Sequence, residues 1–173
     1  MYPKVSVFVG LSLDGFIAGE GGDLSWMSEG AAEDVEETGY AELMREVDTL
    51  VIGRNTYEVV ERFSPWPYAG KRVAVMTTRA LPTSAGVTAV RGTLPEVLRE
   101  VAAQGSRHVY LDGGNVIRQG MAAGRVDVMT LSFLPVTLGR GIPLFGPEVP
   151  FARWKLEKYR AFASGLVQAR YVR

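Results

Sequence analysis

The sequence predicts an α/β fold built on a mostly parallel sheet with an antiparallel edge. Three observations carry that prediction. Short runs rich in Val, Ile and Leu alternate with segments of helical spacing through most of the chain. The chain closes on two β-rich runs around Ser164-Gly165, which read as a hairpin. No repeat, low-complexity tract or shift of composition divides it, so residues 1–173 are expected to form one domain.

Residues 5–11 are a first strand by their β-branched content, and a Gly- and Asp-rich loop follows over residues 12–30. That loop is too long to be a mere connector. Residues 31–47 have helical spacing, with Val35, Leu43, Met44 and Val47 apolar, and the acids of the first half suit the positive end of a helix dipole. Residues 49–52 form a short buried strand. Residues 55–63 form a helix with Asn55 and Glu58 in capping-box spacing. Residues 72–76 and 87–90 are strands, and residues 94–104 a helix whose Pro95 stands in the first turn, where a missing N–H does no harm. A strand over 108–111, a helix over 115–123 and a strand over 126–133 follow. Residues 154–162 and 166–172 form the closing hairpin, the expected antiparallel edge.

Composition narrows the function classes. Lys+Arg 19 balance Asp+Glu 19, 47% of residues are apolar, and cysteine is absent. A chain of this length buries roughly 70% of the surface its unfolded form exposes, enough for a core without disulfides or structural zinc. Thiol catalysis and cysteine-based metal sites are excluded. A neutral balance with no basic run argues against nucleic acid as a partner. No apolar run approaches the roughly 20 residues that cross a bilayer, so no membrane partner is expected. The N-terminal stretch lacks a basic leader and a small-residue cleavage site, and reads as a strand rather than a signal peptide. A cytoplasmic protein is the expectation. The single histidine, His108, opens a buried strand and reads as structural, so no metal site is expected.

P-loop, dinucleotide-fingerprint and serine-hydrolase-elbow signatures are all missing. What remains are three junctions at the carboxyl ends of expected strands, where open α/β sheets bind ligands. Gly53-Arg54-Asn55-Thr56 joins a strand to a helix start and offers a guanidinium; it is either a phosphate site or a plain capped helix. Met76-Thr77-Thr78-Arg79 ends a strand with two hydroxyls and a guanidinium, enough to grip a phosphate monoester, or is simply a polar strand end. Asp112-Gly113-Gly114-Asn115 precedes a helix, where paired glycines admit a ligand and Asn115 can cap, or make only a tight turn. Three such junctions in one small sheet favour the ligand-binding reading. In the first loop, Asp14 can move a proton or serve a turn, and Trp26 can stack on a substrate or anchor the core. Residues 135–145 read as a loop packing over a cleft.

The order and spacing of these pieces resemble the dihydrofolate-reductase-like family that includes the C-terminal reductase domain of the riboflavin-pathway deaminase/reductase. The matching motifs are Ser12-Leu13-Asp14-Gly15-Phe16-Ile17-Ala18, Val51-Ile52-Gly53-Arg54-Asn55-Thr56-Tyr57-Glu58, Met76-Thr77-Thr78-Arg79, Asp112-Gly113-Gly114-Asn115 and residues 135–145. Together they span nearly the whole chain. The resemblance implies a dihydrofolate reductase-like three-layer sandwich, with helices on both faces of the sheet and NADPH across its carboxyl edge. By that resemblance Gly53, Arg54 and Thr56 meet the cofactor phosphates, and Thr77, Thr78 and Arg79 surround the adenosine 2′-phosphate. Gly113, Gly114 and Asn115 cradle the pyrophosphate, at a Gly-Gly bond that is cis in dihydrofolate reductase. Gly10 and Ile17 match positions whose backbone holds the nicotinamide carboxamide. A homodimer through the C-terminal strands is also implied.

Two departures bear on the substrate. The riboflavin-pathway reductases carry a Lys on the first strand, four residues before the motif's Ser, and a Glu before Gly-Gly; here those positions are Phe8 and Asp112. Loss of the Lys removes a cationic partner for a ribose-phosphate substrate. The pterin-binding carboxylate of dihydrofolate reductase has several candidate matches, Glu33, Asp34, Glu36 and Glu37. The expectation is an NADPH-dependent reductase that passes a hydride to a small pteridine- or pyrimidine-like heterocycle, in a cleft between Asp14, Trp26 and Phe145. The alternative is a nucleotide-binding or ligand-sensing module of the same fold without catalysis.

Overall fold

The computed structural model describes residues 1–31, 35–82 and 84–173. Alternating apolar residues build β1 (Lys4–Leu11), whose Val5, Val7, Val9 and Leu11 all face one side of the sheet. β3 (Thr49–Gly53), β4 (Arg72–Met76), β5 (Val87–Val90), β6 (His108–Asp112) and β7 (Val128–Phe133) join β1 in parallel. β9 (Lys155–Ala161) and β10 (Val167–Val172) add an antiparallel edge, and the order across the sheet is β5-β4-β3-β6-β1-β7-β10-β9. This is the expected α/β sandwich with its antiparallel hairpin.

Helices cover both faces, because each is apolar along one stripe only. α4 (Leu94–Ala103) and α5 (Gly114–Ala122) pack Val97, Leu98, Val101, Val116, Ile117 and Met121 on the Val5–Leu11 side. α2 (Tyr40–Glu46) and α3 (Arg54–Val60) place Leu43, Tyr57 and Val60 on the other side, against Leu50, Ile52, Val73 and Val75. α4 is stabilised at its start by Glu96, whose carboxylate accepts the Thr93 backbone N–H at 2.7 Å. No helix among the described residues is long and apolar enough to cross a membrane.

Four local expectations differ from the structure. Residues 31–47 do not form one helix: α1 (Ser25–Ala31) precedes, a 3-10 turn spans Val35–Thr38, and α2 starts only after Gly39, whose φ of +83° interrupts the helix. Residues 32–34 of that stretch, Glu33 and Asp34 among them, lie outside the described residues. The Asn55/Glu58 capping box does not form, because α3 begins one residue earlier with Gly53 at its N-cap, and Glu58 is engaged by Arg54. Asn115 likewise lies inside α5, where its side-chain oxygen accepts the Gln119 amide at 2.5 Å; Gly113 is the N-cap. Finally, the first loop contains β2 (Phe16–Ala18), which pairs with β8 (Ile142–Pro143) as a separate two-stranded sheet.

Candidate functional site

The carboxyl ends of β1, β3, β4 and β6 open onto a cleft of about 780 Å³. Two of the three junctions meet in it. Gly53, Arg54 and Thr56 line it from the start of α3, and Gly113, Gly114 and Asn115 from the start of α5. Gly113 has φ +91°, and a Cβ there would stand 2.2 Å from Thr56 Oγ1. A Cβ on Gly114 would stand 2.7 Å from the tip of Ile17. Only glycine at these two positions lets Thr56 and Ile17 pack directly on the backbone that opens α5. The Gly113–Gly114 peptide is trans, unlike the bond in dihydrofolate reductase; Ser64-Pro65 is the cis bond among the described residues. Gly10 and Ile17 also line the cleft, with Ile17 and Ile142 brought there by the β2–β8 pair.

The third junction stands outside the rim. Thr77, Thr78 and Arg79 follow β4, with the Thr77 hydroxyl accepting the Arg79 N–H at 3.1 Å and the Thr78 carbonyl accepting Arg91 Nη2 at 2.9 Å. Arg79 reaches back toward the cleft through Glu58. The Glu58 carboxylate accepts Arg54 Nε at 2.6 Å and lies 3.7 Å from Arg79 Nη2, and the Arg54 bond holds its pKa below the ordinary range. One carboxylate thus keeps two guanidinium groups side by side.

The other half of the cleft is aromatic. Parallel pairing of β1 with β6 matches Val7 to Leu111, and the next residue on each strand, Phe8 and Asp112, lines the cleft. The Asp112 carboxylate accepts the Tyr68 hydroxyl at 3.2 Å and the Gly113 N–H at 2.8 Å, while burial pushes its pKa up. Burial also raises the pKa of Tyr68, and that of Tyr40 to about 12, with the Asp112 charge adding to both. The Tyr40 ring meets Phe8 edge-on at 5.4 Å. Tyr110 donates its hydroxyl to the Phe8 carbonyl at 2.9 Å and so braces that wall from beneath. Asp112, Tyr40 and Tyr68 are the ionisable groups on this side of the cleft among the described residues.

The cleft expected between Asp14, Trp26 and Phe145 does not form. Asp14 fastens two loops together: its carboxylate accepts the Ser12 hydroxyl at 2.6 Å, the Gly139 N–H at 2.7 Å and the Leu138 N–H at 3.1 Å. Trp26 is buried against Leu134, Phe162 and Leu166, and donates its indole N–H to the Asp23 carbonyl, so it is a core anchor. Phe145 belongs to a separate apolar recess with Phe151 and Trp154. Of the candidate acids, Glu37 is paired with Arg160. His108 is structural, as expected, with Nε2 hydrogen-bonded to Ser6 Oγ at 2.8 Å. Sequence reasoning missed Tyr40 and Tyr68, which carry no motif. Phe8 had a signal, an aromatic residue on the strand face opposite Val5, Val7 and Val9.

The fastening has a pH consequence. Hydrogen bonds, that from Ser12 first and then those from Gly139 and Leu138, outweigh desolvation and hold Asp14 at about 2, below the ordinary 3.8. A lowered carboxyl pKa means that the folded state binds fewer protons than the unfolded one. Its stabilising contribution is therefore present above 3.8 and lost as pH falls toward 2. Asp14→Asn is expected to raise the hydrogen-exchange rate of the Leu138 and Gly139 amides at neutral pH, whereas unchanged protection would remove Asp14 from that role.

Comparison with known proteins places these features in a wider group. The family model of the RibD C-terminal domain matches residues 3–168. The chain is 30% identical to the uncharacterized protein YwjB of Bacillus subtilis, over 100% of this chain and 99% of that protein. A crystal structure from Shewanella sp. PV-4, described as a candidate riboflavin biosynthesis protein, superposes with a TM-score of 0.88 at 33% identity, covering 100% of this chain and 99% of that one. Dihydrofolate reductase from Enterococcus faecalis, solved in complex with NADP(H), shares the fold at a TM-score of 0.68 and 19% identity, covering 100% and 99% of the two chains.

Proposed function

Since the chain belongs to the RibD C-terminal domain family, we propose that it is an NADPH-dependent reductase acting on a small pteridine- or pyrimidine-like heterocycle. The observation that carries this reading is that two helix starts, Gly53-Arg54-Asn55-Thr56 and Gly113-Gly114-Asn115, line one cleft at the carboxyl ends of parallel strands. The residues present fit a dinucleotide. Gly113, Gly114 and Asn115 would hold the pyrophosphate, Gly53, Arg54 and Thr56 the neighbouring phosphate oxygens, and Gly10 and Ile17 the carboxamide. Thr77, Thr78 and Arg79 would take the 2′-phosphate, with Arg79 exchanging Glu58 for the stronger anion. Bound there, a nicotinamide supplies a hydride for an electron-poor C=N or C=O carbon.

The aromatic half supports the rest of the chemistry. Asp112, whose pKa burial raises, is the group proposed to supply the proton that the substrate heteroatom needs. Tyr68 orients that carboxyl, and Phe8 and Tyr40 exclude water beside it. This assigns to Asp112 the proton-handling role that the sequence suggested for Asp14. A homodimer through the C-terminal strands remains part of the reading, supported by β9, which ends the sheet and is exposed along its whole length.

Calorimetric titration with NADPH, NADP and NADH in parallel tests the cofactor half, because a ligand that binds only the native state stabilises it by mass action. Saturable binding with NADPH preferred is the expected result. Absence of heat and of thermal shift with all three would favour the module without catalysis. Arg79→Ala is expected to weaken NADPH by about 1.5 kcal/mol, roughly tenfold, and NADH hardly at all. The lower end of the range for charged hydrogen bonds applies because the Arg79 side chain is 67% exposed. Equal weakening of both cofactors would take Arg79 out of the 2′-phosphate site.

A further inference from the structure

The charge content of the cleft says what it refuses. Among the described lining residues the cations are Arg54 and Arg118, and both are already engaged. Arg54 donates to Glu58 at 2.6 Å and to the Ala80 carbonyl at 2.9 Å. Arg118 pairs with Glu148 at 2.6 Å and donates to the Pro143 carbonyl at 2.6 Å. Both arginines also stand on the helices that carry the glycine cradle. On the aromatic side, Phe8, Tyr40 and Tyr68 stand around one carboxyl group, that of Asp112, with no Lys or Arg among the described lining residues there. A phosphate placed on that side would lose its water and meet no counter-charge.

The mouth of the cleft carries the complementary observation. Leu24, Val59 and Phe63 all line it, and they are 40%, 39% and 54% exposed. Single exposed apolar side chains need no explanation. Three on one cleft, with Val59 in the last turn of α3 and Phe63 in the turn just beyond it, where its N–H donates to the Val60 carbonyl at 3.1 Å, form an apolar surface that a ligand seated in the cleft can cover.

We propose that the substrate is an uncharged, phosphate-free heterocycle that turns a ring nitrogen to Asp112 and carries an apolar substituent out past Val59 and Phe63. This deepens, and rests on, the reading of the cleft as a cofactor-and-substrate site. It sets the substrate apart from phosphoribosyl compounds by the chemistry of the wall.

The test titrates three probes into the full chain, both alone and saturated with NADP, which cannot turn over: pteridine-2,4-dione, its 6-phenyl derivative and uridine 5′-phosphate. The phenyl derivative is expected to bind about tenfold tighter than the parent, as burial of an aromatic ring allows, and the nucleotide phosphate not to saturate. Val59→Ser and Phe63→Ser, both at exposed positions that the fold tolerates, are each expected to cut the advantage of the phenyl group by about threefold while leaving the affinity of the parent unchanged. Uridine phosphate binding as tightly as the parent, no gain from the phenyl group, or variants that weaken parent and derivative alike would overturn the proposal. So would NADP binding without binding of either pteridine. Failure of NADP alone to bind would instead sink the cofactor reading, and the probes titrated into cofactor-free protein would still decide the substrate class.

Discussion

Asp112→Asn is expected to lower turnover by about 10²–10⁴-fold, the usual contribution of a positioned general acid, while NADPH affinity in a calorimetric titration stays unchanged. The asparagine keeps the shape of the side chain and one acceptor for the Tyr68 hydroxyl or the Gly113 N–H, but has no proton to give. The pH profile separates this from a packing defect. Burial raises the Asp112 pKa above its ordinary 3.8, so the acid form persists to higher pH in the wild type and kcat/KM falls as pH rises through the raised value. That basic limb should vanish in the variant. Stability follows the same sign. Between 3.8 and the raised value the folded state binds more protons than the unfolded one, so the wild type loses stability as pH rises through that window. The melting temperature of Asp112→Asn relative to the wild type should therefore climb from pH 4 toward neutrality. A constant difference across that range would mean that Asp112 does not titrate there.

Gly113→Ala is expected to damage both fold and binding. With φ +91° and ψ 131°, Gly113 occupies a region that costs a residue with a side chain roughly 1–3 kcal/mol. The new methyl group would also lie 2.2 Å from Thr56 Oγ1. At about 2–4 °C per kcal/mol for a chain of this size, the melting temperature should fall by several degrees. NADPH affinity should drop by about two orders of magnitude, since the methyl group would push Thr56 and the start of α5 out of the positions proposed to hold the phosphates. Adding Thr56→Ala removes the contact atom but not the backbone strain, so the double variant should recover part of the stability, and a thermodynamic cycle measures how much. A Gly113→Ala protein that melts and binds like the wild type would contradict the cradle geometry.

Much of this architecture was legible in the chain. β4 and β5 occupy the expected residues, Arg72–Met76 and Val87–Val90, because each is a short β-branched run between turns. α4 starts at Leu94, with Pro95 in its first turn as expected. Where local reading failed, a local competitor won: Gly39 at positive φ broke a helix that periodicity alone would continue, and Gly53 and Gly113 took the N-cap positions expected of side chains further on. β2 and β8 escaped because strands of three and two residues are too short to show a period.

By itself the sequence determined the strands of the main sheet, most of the helices and the glycine junctions at the strand ends. These depend on backbone dihedrals and on the spacing of apolar residues within a few turns of one another. Tertiary structure alone decided which side chains meet. Asp14 turned from a candidate acid into a fastener because Leu138 and Gly139, over 120 residues away, present their N–H groups to it. Asp112 is proposed in its place because the register of β1 on β6 sets Phe8 beside it, and because the segment before β4 brings Tyr68 to its carboxylate. Strand order, register and loop closure couple distant parts of the chain through packing, and no local pattern encodes which partners that packing selects.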